Sequence, residues 1–254
     1  MAVGRSPYQG VSNVLRFNWH FYVVAAIGIM ILLLSSQYLS KDWIWIPLAA
    51  SSFILLTTLV SLFVTYYIYD LSKLYEFPWL DGTAGNSKIK ILNINAGFDE
   101  TSQLIANKFK DSELHICDFY DPKYHTEISI KRARKFYPPQ PNTLKVKTNT
   151  LPYPDGSFNV VCVTFAAHEI RNLKERNQFF QELARVTSQE GKIFVTEHLR
   201  DTYNFLAYTI GFLHFYSRTT WINIFKSAKL NIIQERKTTP FVSTFILASN
   251  GTTF

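Results

Sequence analysis

Two long stretches without charged side chains occupy the first third of this 254-residue chain. No Asp, Glu, Lys or Arg occurs in residues 17–40, and none occurs in residues 43–69. A helix needs about 20 apolar residues to cross the core of a bilayer, so both stretches are long enough. The link at residues 40–42 is so short that the two helices must form a hairpin. We therefore predict an N-terminal segment, residues 1–80, with transmembrane helices over about 18–39 and 43–69.

A cleaved signal peptide and a pair of buried core helices are the alternative interpretations of these stretches. A signal peptide has a shorter apolar stretch, and no second span follows it. Two adjacent uncharged segments of this length would be unusual in a soluble core. Trp43, Trp45, Tyr66, Tyr67 and Tyr69 lie near the predicted ends, where aromatic residues anchor a span at the membrane surface. The pattern favours a membrane hairpin.

Basic residues give the hairpin an orientation. Arg5 and Arg16 precede the first span and Lys73 follows the second, whereas the link carries only Lys41, next to Asp42. Lys and Arg are enriched on the cytoplasmic side of membrane spans. We therefore expect both termini, and the domain after residue 80, to lie in the cytoplasm.

After residue 80 the pattern changes to short apolar strands that alternate with helices. A linker is predicted at residues 81–88. The predicted strands are residues 89–95, 114–119, 144–147, 157–165, 192–198, 231–237 and 241–249. The predicted helices are residues 100–109, 125–137, 172–187, 202–216 and 219–230. Such alternation predicts an α/β fold with a doubly wound, mostly parallel sheet in a domain over residues 81–254, with ligands at the carboxyl ends of the strands.

The charge and the cysteine content indicate which partners and which cellular compartment the domain would have. From residue 81 onward there are 22 Lys and Arg against 16 Asp and Glu, an excess that would draw a tethered domain towards anionic lipid headgroups. The basic run at residues 131–135 is interpreted as a solvated helix face, and no nucleic-acid-binding motif accompanies it. Cys117 and Cys162 lie in apolar strand patterns without metal-binding spacing. This indicates buried, reduced thiols and agrees with a cytosolic location.

Two predicted strands end in groups of ionisable side chains. These are His168, Glu169 and Arg171 after the fourth strand, and Glu197, His198, Arg200 and Asp201 after the fifth. Neighbouring parallel strands lie about 4.8 Å apart, so the two groups should meet at one edge of the sheet. A neutral histidine is a suitable general base, and a neighbouring carboxylate can raise its basicity. His168, His198 and Glu197 are therefore the candidate catalytic residues, with His168 favoured as the base.

Two other interpretations of these side chains stay open. They could form an ion-paired network that orders the loops without transferring a proton. They could also bind a divalent metal, although no HxxxH, HExxH or Asp-rich spacing supports a metal site.

Three segments together resemble the class I S-adenosylmethionine-dependent methyltransferases, nearest to the branch that methylates quinones and other prenylated or lipid-like substrates. They are LPYPDGSF before the fourth strand, ELARVTSQEGKIFVTEH with Gly191 in the turn before the fifth, and the final strand pair. The resemblance covers about residues 88–249. It implies a Rossmann-like, seven-stranded sheet whose last strand is antiparallel, and S-adenosylmethionine as the cofactor.

The resemblance also implies cofactor-binding positions, and this chain departs from the family at several of them. Around the end of the first strand, Asn93 stands at an acidic position, Asn95 and Asp99 stand at the outer glycine positions, and Gly97 is the one glycine that remains. Asp118 falls at the position that binds the ribose, with Phe119 next to it for the adenine. The family's acidic residue before the fourth strand is Lys147 here, which leaves Thr148 and Asn149 as substitutes.

Asp99 and Glu100 disfavour a cofactor that contains a pyrophosphate. They begin the next helix, where they complement its dipole but would repel a pyrophosphate. A dinucleotide or nucleotide-sugar enzyme is therefore disfavoured. An alternative role for Asp99 is a plain helix N-cap.

Candidate acceptor-binding residues are Glu169, Arg171, Arg200 and His214. His214 lies in an aromatic segment after the fifth strand, which often covers the substrate in the resembling family, although such aromatics are more often core residues. Tyr69, Asp70 and Tyr75 could fold over the cofactor from the membrane side, or they could serve as interfacial anchors.

Together these features predict a membrane-anchored methyltransferase that acts on an amphiphilic, lipid-like or prenylated acceptor, with no nucleic-acid partner. The alternative is a non-catalytic membrane protein that retains the fold, since a fold does not guarantee a function. The glycine-poor loop and Lys147 motivate that alternative.

Overall fold

The two apolar stretches form a helical hairpin. A computed structural model of the chain, which describes residues 5–83 and 89–249, has α1 over Gln9–Ser36 and α2 over Trp45–Tyr66. A π-helical turn, Tyr67–Leu71, continues α2. The first helix begins well before the predicted residue 18, because its first turns pack on the α/β domain and bury Gly10, Asn13 and Phe17. A break in the helical dihedrals at Asn18, with φ −116°, ends this packed part.

Beyond Asn18 the hairpin exposes most of its apolar side chains. Phe21, Met30, Trp45 and Phe63 are all more than half exposed. In the most apolar windows of the two helices, only 6% and 17% of the residues are buried, whereas a core helix would bury most of them. By length and composition, both helices could cross a membrane.

Seven strands form one sheet in the order β3-β2-β1-β4-β5-β7-β6. The strands are β1 (Lys90–Asn95), β2 (Glu113–Asp118), β3 (Thr143–Lys145), β4 (Phe158–Thr164), β5 (Thr187–His198), β6 (Leu230–Thr239) and β7 (Val242–Ser249). β7 runs antiparallel to β5 and β6, and the other neighbouring strands are parallel. The predicted mostly parallel, seven-stranded Rossmann-like sheet is therefore confirmed.

Helices connect the strands on both faces of the sheet. They are α3 (Ser102–Lys108), α4 (Ile128–Phe136), α5 (Leu173–Val186), α6 (Thr202–Tyr208) and α7 (Arg218–Ser227). The helix predicted over residues 202–216 is shorter than expected, because Thr209 has a φ of 50° that ends α6. A 3₁₀ helix, Thr209–His214, follows it. In the predicted linker, residues 84–88 lie outside the described residues.

The prediction of a turn at Gly191 is wrong. Thr187 begins β5 directly after α5, and Gly191 lies inside that strand, where the register between β4 and β5 shifts. A Cβ on Gly191 would lie 2.9 Å from the carbonyl oxygen of Phe158, so the close approach of the two backbones requires a glycine.

Two apolar clusters cover the two faces of the sheet. One contains Phe179 and Phe180 of α5 with Trp221 and Phe225 of α7, all buried. The other contains residues from the carboxyl-terminal end of the hairpin and the segment after it, including Ile68, Leu74, Trp79 and Leu80, which pack with residues of β1, β4, β5 and β7. The end of the hairpin is therefore a layer of the α/β domain.

Candidate active site

The loop after β1 has two buried polar atoms without a partner. Gly97 takes a φ of 98°, and its amide donates to Asn95 Oδ1 over 3.0 Å. Asn95 Nδ2 and Asp99 Oδ2 have no hydrogen-bond partner. The other oxygen, Asp99 Oδ1, accepts from the amides of Thr101 and Ser102 and so caps α3. The loop thus offers one donor and one acceptor at the carboxyl end of β1.

Asn93 has one bonded and one unbonded amide atom, because its Oδ1 also lacks a hydrogen-bond partner. It is fully buried, and its Nδ2 donates to the hydroxyls of Thr101 and Ser102 at 2.8 and 2.7 Å. These bonds attach the beginning of α3 to β1, so Asn93 supports the loop from behind.

Asp118, at the end of β2, is already paired. Its Oδ1 accepts from the amide of Tyr120 over 2.8 Å, and its Oδ2 accepts from Arg134 Nη1 over 2.5 Å. The Arg134 guanidinium also lies 4.4 Å from the ring centre of Tyr120. A Cβ on Gly97 would lie 2.9 Å from Arg134 Nη1 and from the Tyr120 side chain. Arg134 and Tyr120 therefore fill the space in front of Gly97.

The basic run on α4 is not a uniformly solvated face, which corrects the expectation for residues 131–135. Arg132 Nη1 donates to the carbonyl of Phe17 over 2.6 Å and lies 2.8 Å from His20 Nδ1, so it contacts α1. Arg134 points to Asp118 instead. Lys131 and Lys135 are exposed, as expected.

Phe119 is a core residue. It is 3% exposed and packs against Phe179 and His125. Beyond β3, the Thr148 hydroxyl donates to Glu175 over 2.6 Å, and Asn149 is exposed. Of the residues near Asp118, it is Tyr120 that faces the loop after β1.

The groups at the ends of β4 and β5 meet, as predicted. The 3₁₀ turn Ala167–Glu169 follows β4 and brings His168 Nδ1 to 2.6 Å from Glu197 Oε2. On the other side of the ring, His168 Nε2 lies 3.2 Å from Glu169 Oε1. Burial disfavours a charge on His168, but the two carboxylates outweigh that effect and raise its pKa. The same contact lowers the pKa of Glu169 against the effect of its burial. The two carboxylates therefore favour the protonated form of the His168 ring.

His214 joins this group from the 3₁₀ helix after α6. Its ring centre lies 5.0 Å from that of His168, and its Nδ1 lies 3.2 Å from Glu127 Oε1. Arg171 Nη2 donates to Glu127 over 3.1 Å and lies 2.7 Å from His214 Nδ1. Burial, with the nearby positive charges of His168 and Arg171, lowers the pKa of His214 to about 3, so this ring is neutral. We call His168, Glu169, His214, Glu127, Arg171 and Glu197 the rim cluster.

His198 does not join the rim cluster. Its ring is stacked between Phe165 and Phe215, with ring centres 4.9 and 4.8 Å away. Nδ1 faces the carbonyl of Phe241 at 3.0 Å and therefore donates. Nε2 then accepts from the hydroxyl of Tyr69 over 2.8 Å. Burial lowers the pKa of His198 to about 4, and with both nitrogens engaged this ring is not placed to act as a base.

Arg200 and Asp201 also have structural contacts. Arg200 donates to the carbonyl oxygens of Leu213 and Phe215 at the end of the 3₁₀ helix. The Asp201 carboxylate accepts from the amide of Asn204 over 2.9 Å and caps α6.

The hairpin contacts the loop after β1 through Glu100. The Glu100 carboxylate accepts from Arg5 at 3.0 Å, Asn13 at 3.0 Å and Tyr75 at 2.9 Å. Asp70 accepts from the first amides of α1, those of Gly10 and Val11. Tyr75 and Tyr69 therefore hold the end of the hairpin to the domain, at Glu100 and at His198, whereas Asp70 joins the two helices of the hairpin.

The chain resembles known methyltransferases in sequence and fold. Residues 105–195 match the family model described as "Methyltransferase domain". No curated protein matches the chain. A SAM-dependent methyltransferase of Methanosarcina mazei is 13% identical, with a TM-score of 0.50 over 68% of this chain and 97% of that chain. A SAM-dependent methyltransferase of Aquifex aeolicus is 15% identical, with a TM-score of 0.49 over 75% and 97%.

Residues 105–195 of this chain are therefore similar to a methyltransferase domain. The similarity to the M. mazei protein concerns the fold alone. The family match starts at residue 105 and ends at residue 195. It therefore leaves out the glycine-poor loop, where this chain departs from the family pattern, and it ends just before Glu197.

Four side chains that shape the site were not among the site residues predicted from the sequence. They are Glu100, Tyr120, Glu127 and Arg134. Arg134 and Glu127 lie on or next to α4, where an amphipathic pattern shows which residues face inwards but not which partner each one meets. No local signal in the sequence predicts the contacts of Glu100, because its partners Arg5 and Asn13 lie about 90 residues away along the chain.

Proposed function

We propose that the chain is a membrane-anchored, S-adenosylmethionine-dependent methyltransferase that acts on an amphiphilic, lipid-like or prenylated acceptor from the cytoplasmic side. The proposal rests on one observation: a helical hairpin long enough to cross a bilayer packs against a domain with a methyltransferase fold. The two are joined by packing and by Glu100, whose side chain is 12% exposed and bonds to Arg5. An acceptor dissolved in the bilayer would be concentrated beside the domain, as tethering concentrates a ligand.

The family match and the fold support S-adenosylmethionine as the cofactor. When bound, it would supply a methyl group on a sulfonium. The residues fit such a group: the unpartnered Asn95 Nδ2 and Asp99 Oδ2 suit a carboxylate and an ammonium, and the Asp118 carboxylate suits ribose hydroxyls. Because Arg134 and Tyr120 fill the space before Gly97, these two side chains must move when the cofactor enters.

An exposed apolar surface beside the hairpin supports the lipid-like acceptor. Phe205, Leu206, Ile210 and Leu213 are 47%, 63%, 80% and 56% exposed. They lie on α6 and the 3₁₀ helix after it, and α6 packs against α2. Burying one such side chain fully is worth about 1.5–3 kcal/mol, so this surface favours contact with the acyl region of a membrane. It ends at His214, in the rim cluster, and so gives an acceptor a route from the bilayer to the site.

The rim cluster would position the acceptor. Methyl transfer is an in-line displacement, so the main task of the protein is to fix the geometry of the acceptor atom. His168 Nδ1 pairs with Glu197, and an oxygen of the acceptor would take the place of Glu169 as the partner of His168 Nε2. Arg171 is 41% exposed and lies at the open side of the cluster, where it would meet a negatively charged acceptor group.

The test is single-turnover methylation of a membrane lipid extract with labelled S-adenosylmethionine and detergent-solubilised protein. We expect wild type to transfer label, and Glu169→Gln to slow the transfer by about 10²–10⁴-fold, the usual contribution of acid–base groups. Glu113→Gln is the matched control, because Glu113 also pairs with a histidine but lies at the start of β2, the opposite end from Asp118. Equal rates for wild type and Glu169→Gln would contradict the assigned role.

A non-catalytic role is the second candidate, and the Arg134–Asp118 pair favours it. An arginine bonded to the position expected to bind ribose is a stable arrangement without any cofactor. Calorimetric titration with S-adenosylhomocysteine separates the two candidates. Binding would support the enzyme, whereas no binding by wild type at millimolar ligand would favour the non-catalytic role.

A further inference from the structure

We propose that the rim cluster binds a divalent transition metal ion of the zinc or ferrous type, with His168 Nε2, His214 Nε2 and a Glu169 oxygen as ligands. Two histidines and one glutamate form a known ligand set for both ions, and they leave positions open for water or another oxygen ligand. The inference goes beyond methyl transfer and does not depend on it.

The distances fit an ion. Each of the three residues offers a ligand atom, and these atoms all lie within 4.8 Å of one another. Glu169 Oε1 lies 3.2 Å from His168 Nε2 and 4.0 Å from His214 Nε2. Ligands bound tetrahedrally at about 2.1 Å lie about 3.4 Å apart, so small rotations of these side chains would complete the site.

A carboxylate lies near the outer ring nitrogen of both histidines. A histidine bound to a metal almost always donates its other ring N–H to a carboxylate, a carbonyl or water. His168 Nδ1 lies 2.6 Å from Glu197 Oε2, and His214 Nδ1 lies 3.2 Å from Glu127 Oε1. Each ring therefore has a carboxylate near Nδ1 and has Nε2 towards Glu169. At His214 Nδ1 the Arg171 guanidinium lies closer than Glu127, at 2.7 Å, so His214 can donate to Glu127 only after Arg171 turns away.

The charges also favour a cation. Glu169 and Glu197 are 6% and 0% exposed, and Glu127 brings a third carboxylate to the cluster. Arg171 is the only cationic partner of permanent charge that the described contacts of the rim cluster include. Burying carboxylates in excess of cations is costly, and a divalent ion would correct the imbalance. On binding, the ion would replace the proton on His168 Nε2, which is released to solvent.

The positive charge of Arg171 should weaken the binding of a metal ion, and this allows a test that separates metal binding from a general loss of structure. Its Nη2 lies 2.9 Å from His214 Nε2, one of the proposed ligand atoms. The side chain is 41% exposed and can turn towards solvent when an ion binds. Removing its charge should therefore strengthen metal binding, whereas the loss of a ligand should weaken it.

The experiment is a titration of the full chain with Co²⁺, purified in detergent without an oligohistidine tag and followed by visible absorption. We expect one Co²⁺ per chain in wild type, displaced by Zn²⁺. His214→Ala should weaken Co²⁺ binding by more than about 100-fold, since even outer partners are worth about 10–100-fold. Glu127→Gln should weaken it by about 10–100-fold, and Arg171→Gln should strengthen it.

His115→Ala is the matched control. Its side chain is 32% exposed and pairs with Glu113, as the 30% exposed His214 pairs with Glu127. The control should bind Co²⁺ like wild type. No binding by wild type at millimolar Co²⁺, or equal affinity in wild type, His214→Ala and Glu127→Gln, would overturn the proposal. The readout is metal binding alone, so a failure here leaves the proposed methyl transfer untouched.

Discussion

Arg134 should limit the affinity for the cofactor, and its removal should tighten binding. In the structure the Arg134 guanidinium bonds to Asp118 Oδ2 at 2.5 Å and lies in front of Gly97. Asp118 Oδ1 is used by the amide of Tyr120, so a ribose would have to compete with Arg134. A hydrogen bond to a charged group is worth about 1.5–3 kcal/mol. The Arg134 side chain is 26% exposed and regains part of this in water, which leaves about 1–2 kcal/mol.

A difference of about 1–2 kcal/mol corresponds to about 5–30-fold in affinity. We therefore expect Arg134→Ala to bind S-adenosylhomocysteine about 5–30-fold more tightly than wild type in calorimetric titration. Lys135→Ala is the control, because Lys135 is the next residue on α4 and is exposed. Asp118→Ala should weaken binding by about 1.5–3 kcal/mol. Weaker binding by Arg134→Ala would refute the reasoning, because it would mean that Arg134 itself contacts the cofactor.

Three further predictions concern the membrane and the fold. A cysteine placed at Ser40 should react with impermeant reagents outside sealed cells, since the basic residues favour cytoplasmic termini; reaction only from the cytosol would contradict the topology. In proteoliposomes, brominated lipids should quench the tryptophan fluorescence that Ile210→Trp adds to that of wild type. They should not quench the fluorescence that Leu173→Trp adds, because Leu173 lies on the opposite face of the sheet. Equal quenching of both variants would exclude the apolar contact surface. The unfolding temperature should fall as the pH drops from about 6.5 to about 4, because burial lowers the pKa of His198 and the unfolded chain takes up its proton first. His198→Gln should show a shallower decline, and an identical decline would contradict this assignment.

The sheet could be predicted from the sequence because its determinants are local. Each strand is a short apolar run, and a turn is expected where the run ends. The order of strands and helices then allows few parallel topologies. Non-local contacts account for the errors. Gly191 seemed to belong to a turn, but its position depends on the close approach of Phe158 in the neighbouring strand. α1 begins early because its first turns pack on a domain far along the sequence.

The site was partly predictable for the same reason. His168 and Glu197 follow adjacent parallel strands, so their meeting followed from the strand order. The state of each histidine did not, because it depends on side chains from other segments. His168 lies between two carboxylates that raise its pKa, whereas His198 lies between two aromatic rings and burial lowers its pKa. Sequence spacing gives the neighbours along a strand but not the partners that reach them from elsewhere.

One short helix, α4, contacts the hairpin, the expected cofactor site and the rim cluster. On one side Arg132 bonds to the carbonyl of Phe17 in α1, and on another Arg134 bonds to Asp118. Glu127, just before the helix, lies next to His214 in the rim cluster. A movement of α4 that releases Asp118 for a cofactor would therefore also shift contacts to the hairpin and to the rim. Because these contacts share one rigid element, occupancy of the cofactor site should alter the exposure of His214, and this can be measured by chemical modification of that histidine with and without S-adenosylhomocysteine.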